Sequence, residues 1–138
     1  MLRPTLLTLT ALVAAAAFAQ AVPGPNGGEL RFVDGYRLEL VVQPAGRGAR
    51  ENPLVLHVAT AEGEPVQTRG AIGRATVAGG ELRGVATLHP DGGNALKGFA
   101  LYSPRRDLAV AVTIRLPGRE QAIEASFRPF EQTLTPAR

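Results

Sequence analysis

The chain has 138 residues, with 15 lysines and arginines against 12 aspartates and glutamates, a formal charge of +3, and no cysteine. The missing cysteines exclude disulfides, thiolate metal centres, a cysteine nucleophile and a lipid anchor carried on cysteine. This length is one domain's worth of chain, and the scattered arginines with few aromatics argue against a nucleic-acid footprint, which needs clustered bases and interleaved rings.

Arg3 is the only charge before Glu29, and Leu6 to Phe18 is an apolar run that ends in small residues, Ala17-Phe18-Ala19 or Ala19-Gln20-Ala21. A basic start, a short apolar centre and an Ala-x-Ala exit make a secretory signal peptide over residues 1–21. An uncleaved anchor would need about 20 apolar residues, more than this run supplies. Cleavage after Ala19 or Ala21 leaves a product in the periplasm or outside the cell, with no membrane span in the mature chain.

Pro23, Gly24, Pro25, Asn26 and Gly27 then form a stiff lead-in that cannot be helical. Tyr36, Leu38, Leu40 and Val42 alternate with Arg37 and Glu39, the period of a half-buried strand. Asp34-Gly35 joins that strand to the apolar run Leu30–Val33, and suits a type I′ hairpin turn with positive φ at both central residues. Gln43 to Pro53 reads as a polar loop. Leu54 to Thr60 alternates again with apolar groups on both faces, so this strand is expected to be more fully covered. Ala71 to Ala78 reads as an irregular or bulged strand, and Gly79-Gly80 turns into a strand over Glu81 to His89.

Pro90-Asp91-Gly92-Gly93-Asn94 is the strongest turn signal. Ala95 to Tyr102 follows as a strand, then a turn at Ser103-Pro104-Arg105-Arg106-Asp107. Leu108, Val110, Val112, Ile114 and Leu116 make the longest clean alternation. Pro117-Gly118 turns into a last strand, where Ile123, Ala125 and Phe127 share a face. About seven or eight short antiparallel strands with turns at regular spacing predict an all-β domain, an immunoglobulin-like β-sandwich in preference to a small barrel. The expected organisation is a signal peptide at 1–21, one sandwich domain at 22–131 and a loose tail at 132–138.

Catalytic material is scarce. The serines after the leader, Ser103 and Ser126, lie outside any nucleophile elbow, and the Gly-Gly pairs match no phosphate-loop spacing. An enzyme is therefore not expected. His57 and His89 are the only imidazoles. With Glu39 or a nearby carboxylate they are the candidate ligands for zinc or copper(II), which accept such donors. The plainer alternative has His57 packing beside Val55 and His89 capping the turn before Pro90, since two histidines 32 residues apart show no ligand spacing.

Pro25-x-Gly27-Gly28 followed by Gly35-Tyr36-x-Leu38-Glu39-Leu40-Val41 resembles a β-rich domain of the periplasmic adaptor proteins of heavy-metal efflux pumps. Gly63-x-Pro65-Val66, Gly73-x-Ala75-Thr76-Val77, Leu88-x-Pro90, Gly93-Asn94-x-Leu96, Ala109-Val110-Ala111-Val112 and Pro117-Gly118 extend the resemblance over nearly the whole mature chain. It implies a β-rich fold in the cell envelope. Members often carry histidine where this chain has Asn26 and Arg37, which weakens the metal role the resemblance would imply.

Two functions follow. The first is an exported, non-enzymatic binding or accessory module of the cell envelope that needs no cofactor and engages a protein partner. The second, implied by the resemblance alone, is a periplasmic protein handling zinc or copper ions in association with heavy-metal efflux.

Overall fold

The computed structural model describes residues 22–131. The expected signal peptide at 1–21 and the tail at 132–138 lie outside the described residues. Nine strands follow in chain order: β1 (Val22–Pro23), β2 (Glu29–Val33), β3 (Tyr36–Val42), β4 (Arg50–Thr60), β5 (Ile72–Gly79), β6 (Leu82–Pro90), β7 (Ala95–Tyr102), β8 (Ala109–Arg115) and β9 (Ile123–Phe127). All pair antiparallel, and no helix occurs among the described residues.

The turn chemistry acts as the sequence requires. Asp34 and Gly35 take φ of 52° and 81°, the left-handed pair of a type I′ turn whose twist matches that of the flanking strands. Val33 consequently pairs with Tyr36, and the register runs back to Glu29 opposite Leu40.

The all-β antiparallel expectation stands, but the strands hydrogen-bond in one continuous order, β1-β2-β3-β4-β7-β6-β5-β8-β9. The result is a single curled sheet, a half-barrel, where two separate sheets were expected. Strands β5 to β8 make a Greek key: three consecutive neighbours, with the fourth returning beside the first. The fold turns its corner between β6 and β7, whose ladder is only His89–Lys97 and Pro90–Leu96. Gly98 lets the strands cross closely there, because a Cβ would overlap the carbonyl oxygen of Thr87.

Curling brings β9 beside β2. No backbone ladder joins them; the Arg31 guanidinium and the Glu29 carboxylate do. Arg31 donates from Nε to the Ser126 carbonyl at 2.9 Å and from Nη1 to the Leu30 carbonyl at 2.9 Å. It also pairs with Glu29 and lies 5.7 Å from the centre of the Phe127 ring. Glu29 in turn accepts the Arg128 backbone N–H at 2.9 Å. The Leu30 and Ser126 carbonyls and the Arg128 N–H thus find partners at the seam, as buried or half-buried backbone groups must.

The curl encloses one core. Leu38, Leu40, Leu54, Leu56 and Val58 from one half meet Val77, Leu88, Val110, Val112 and Ile114 from the other. These are the alternating inward positions of the sequence pattern. Each large aliphatic side chain buried this way contributes roughly 1.5–3 kcal/mol.

One boundary differs from expectation. Arg50–Pro53, read as loop, begins β4 and pairs with Phe99–Tyr102. Asn52 is fully buried: it accepts from Ala45 N–H at 2.8 Å and donates to the carbonyls of Arg50 and Tyr102, both at 3.1 Å. Pro53 is tolerated because β3 pairs only as far as Leu54, so the missing N–H breaks no ladder.

Candidate functional site

Glu39 departs most from its sequence reading. Alternation puts it with Arg37 on the wet face of β3, yet it is only 3% exposed. The lead-in folds over it. Asn26 N–H donates to Oε2 at 2.8 Å and to Oε1 at 3.2 Å, Gly28 N–H donates to Oε2 at 2.9 Å, and Asn26 Nδ2 donates to Oε1 at 2.9 Å. Gly24 N–H closes the same loop onto the Gly28 carbonyl at 2.8 Å. A Cβ at Gly24 would overlap the Glu39 carboxylate, so glycine there is a steric requirement. A buried carboxylate with no cation is held by N–H donors aimed at both oxygens.

The two histidines lie on the outer face. His57 on β4 stands directly opposite Glu39 on β3, a position whose Cβ atoms are about 4.5–5.5 Å apart in antiparallel sheets. His89 stands opposite Lys97, and Lys97 opposite Val55. Strand β7 therefore separates the imidazoles, and the register offsets them by two residues, roughly 12 Å overall from strand spacing and rise. The structure brings His57 to Glu39 but not to His89, and the Glu39 oxygens already face Asn26 and Gly28. Among the described residues no three histidine, aspartate or glutamate side chains gather as a metal-holding group.

A different feature emerges from the strand order. Strands β7, β6, β5 and β8 are consecutive neighbours. They carry Lys97, Arg83, His89, Arg74 and Arg115, and not one aspartate or glutamate. Their inward residues are apolar, so these bases share the outer face. Exposed apolar side chains stand among them: Ile72, Val85, Phe99 and Leu101. Lys97 Nζ lies 5.6 Å from the centre of the Phe99 ring.

Among the described residues the ion pairs are Arg31 with Glu29 and Arg105 with Asp107. In the turn between β7 and β8 the Arg105 guanidinium donates to the Asp107 carboxylate, holding that carboxyl below its ordinary range. The arginines of the outer face have no such partner. A face combining unpaired guanidinium groups with exposed aliphatic and aromatic side chains has the composition of protein-recognition surfaces, in which aromatic residues and arginine are enriched.

Between β1–β3 and the segment that follows β9 lies a cavity of about 410 Å³. Val22, Pro23, Leu40, Val42 and Phe130 line it, with Arg128 among the lining residues. Its volume falls within the usual range for small-ligand pockets.

The acid-free face was open to sequence reasoning in one respect. Every charged side chain between Ile72 and Tyr102 that falls in a strand is basic. Read along the chain, these bases look scattered; the strand order collects them. The burial of Glu39 carried a weaker signal, the Asn26-Gly27-Gly28 turn chemistry upstream. Comparison of the chain with models of protein families and with curated proteins gives no match.

Proposed function

We propose that the protein is an exported, non-enzymatic binding module of the cell envelope that engages a protein partner through the outer face of β5–β8. One observation carries this reading: four adjacent strands hold Arg74, Arg83, Lys97 and Arg115 with no carboxylate, interleaved with exposed Ile72, Val85, Phe99 and Leu101. Export is supported by the leader pattern of residues 1–21. In this role the curled sheet works as a sandwich does, its two halves packed across one core while the outer face stays free for recognition.

The test is a photo-crosslinking residue placed at Thr76, in the middle of the face, and separately at Arg47, in the loop before β4. Cells exporting the Thr76 derivative should yield a discrete protein adduct that the Arg47 derivative does not. The adduct should disappear when Phe99→Glu is added. An adduct from both positions, or from neither, rejects the reading.

A second reading is a periplasmic protein handling zinc or copper ions. Its support is the pairing of His57 opposite Glu39, with the resemblance to metal-efflux adaptor domains. It is the weaker of the two, because the carboxylate already accepts N–H groups on both oxygens.

A further inference from the structure

Four side chains form a checkerboard on the outer face of β5 and β8. The register sets Ile72 opposite Arg115 and Arg74 opposite Thr113. All four are exposed, Ile72 by 63%. They line a shallow depression of about 250 Å³ floored by Gly73 and bordered by Ala122. Diagonal neighbours in an antiparallel pair are about 7–8 Å apart. The two guanidinium stems therefore rise at that spacing, with the Thr113 hydroxyl and the Ile72 side chain at the remaining corners. Glu124, opposite Thr113 on β9, borders the group without forming an ion pair.

We propose that this group reads carboxylates: it takes an acidic, extended segment of a protein partner, with acidic side chains two residues apart on Arg74 and Arg115. The inference rests on the outer-face reading above and names the partner's chemistry. Three physical points carry it. A guanidinium presents paired N–H donors that match the two oxygens of a carboxylate. In an extended strand, side chains at positions i and i+2 point the same way about 6.8 Å apart, close to the separation of the arginine stems. Strands β6 and β7 add Arg83 and Lys97 and no acidic residue, against the single Glu124 of β9, so the local field favours a negative partner. Phosphate oxygens would also suit guanidinium forks, but the exposed Ile72 side chain at one corner of the group, directly opposite Arg115, offers apolar contact that a protein segment can use and a polyphosphate cannot.

The experiment measures fluorescence anisotropy of labelled dodecapeptides with the mature protein at low salt. One peptide alternates glutamate and serine, a second holds the same residues in two blocks, and a third alternates lysine and serine. The alternating acidic peptide should bind, and more tightly than the block peptide. The lysine peptide should not. Arg74→Ala with Arg115→Ala should weaken binding by about tenfold or more, while Arg83→Ala should weaken it by less than about threefold. Both substitutions are on exposed side chains, and unchanged circular dichroism will verify the fold. Binding indifferent to the double substitution overturns the proposal. So does a short polyphosphate that binds more tightly than the acidic peptide through the same arginines. If the Thr76 adduct persists in the Arg74→Ala/Arg115→Ala protein, the carboxylate assignment fails and the outer-face reading survives; if no adduct forms at all, the reading itself fails.

Discussion

Glu39→Ala removes the acceptor on which the lead-in folds. Three donors lose their partner: the backbone N–H groups of Asn26 and Gly28, and the Asn26 side-chain amide. Each donor left unpaired in a buried site costs about 1–3 kcal/mol. The site is only part-buried on the Asn26 side, so water can recover some of that loss. We expect a net cost of about 2–4 kcal/mol, which for a domain of this size lowers the thermal midpoint by roughly 8–16 °C. Glu39→Gln should be much milder, about 1 kcal/mol. Its amide oxygen can still accept both backbone N–H groups, and Asn26 can rotate its own amide to present Oδ1 to the new NH₂. Asn26→Ala should cost about 1 kcal/mol in the parent, and should remove the rescue in Glu39→Gln. Thermal unfolding followed by circular dichroism measures the parent, the three single variants and the double variant. The reasoning is refuted if Glu39→Ala lies within about 0.5 kcal/mol of the parent, or if Glu39→Gln is as damaging as Glu39→Ala.

Further outcomes test other parts of the structure. Leu40→Ala should cost about 2–5 kcal/mol as a core truncation, while Arg37→Ala should barely move the midpoint; equal effects would mean the strand faces were misassigned. Arg31→Ala should cost about 1–2 kcal/mol and speed amide exchange along β2 and β9 more than along β6; uniform exchange would mean the guanidinium does not hold the seam. Burial pushes the Tyr102 hydroxyl up to about 12, and it donates to the Pro53 carbonyl at 2.9 Å. Its folded pKa therefore exceeds the unfolded value, so the stabilisation is intact below about pH 10 and is lost as pH rises towards 12, about 2–3 kcal/mol in all. Urea unfolding at pH 8 to 11 should show a decline that Tyr102→Phe abolishes; an undiminished decline would place its cause elsewhere. Titration calorimetry on tag-free protein spanning residues 22–138 should show no tight one-to-one zinc or copper(II) binding at neutral pH. Stoichiometric binding lost in both His57→Ala and His89→Ala would make metal handling the first choice.

Local order was legible in the sequence. Period-two alternation and turn residues together located the eight longer strands, although β5, expected over Ala71–Ala78 to be irregular or bulged, pairs without interruption on both sides. Alternation also named Leu38, Leu40, Val110, Val112 and Ile114 as core, all buried in the structure. Asp34-Gly35 set its turn type unaided, because positive φ at two successive positions is a property of those residues and not of their surroundings. Such features depend on interactions within a few residues, which any stretch of chain carries with it.

Features that need distant partners were not legible. Arg50–Pro53 looked like loop because its polar residues satisfy the strand pattern only once Asn52 reaches the Tyr102 carbonyl, 50 positions away. Glu39 looked wet because alternation describes the faces of a strand and not what later covers them; its burial comes from Asn26 and Gly28, folded back from the lead-in. The continuous curl, and the Arg31 guanidinium and Glu29 carboxylate joining β2 to β9, depend on which strands become neighbours. The same holds for the basic face: Arg74, Arg83, Lys97 and Arg115 are spread along the chain, and only the order β7-β6-β5-β8 sets them side by side. Alternation decides which way a side chain points, whereas strand order decides what it meets there, and that order is set by long-range pairing across the whole domain.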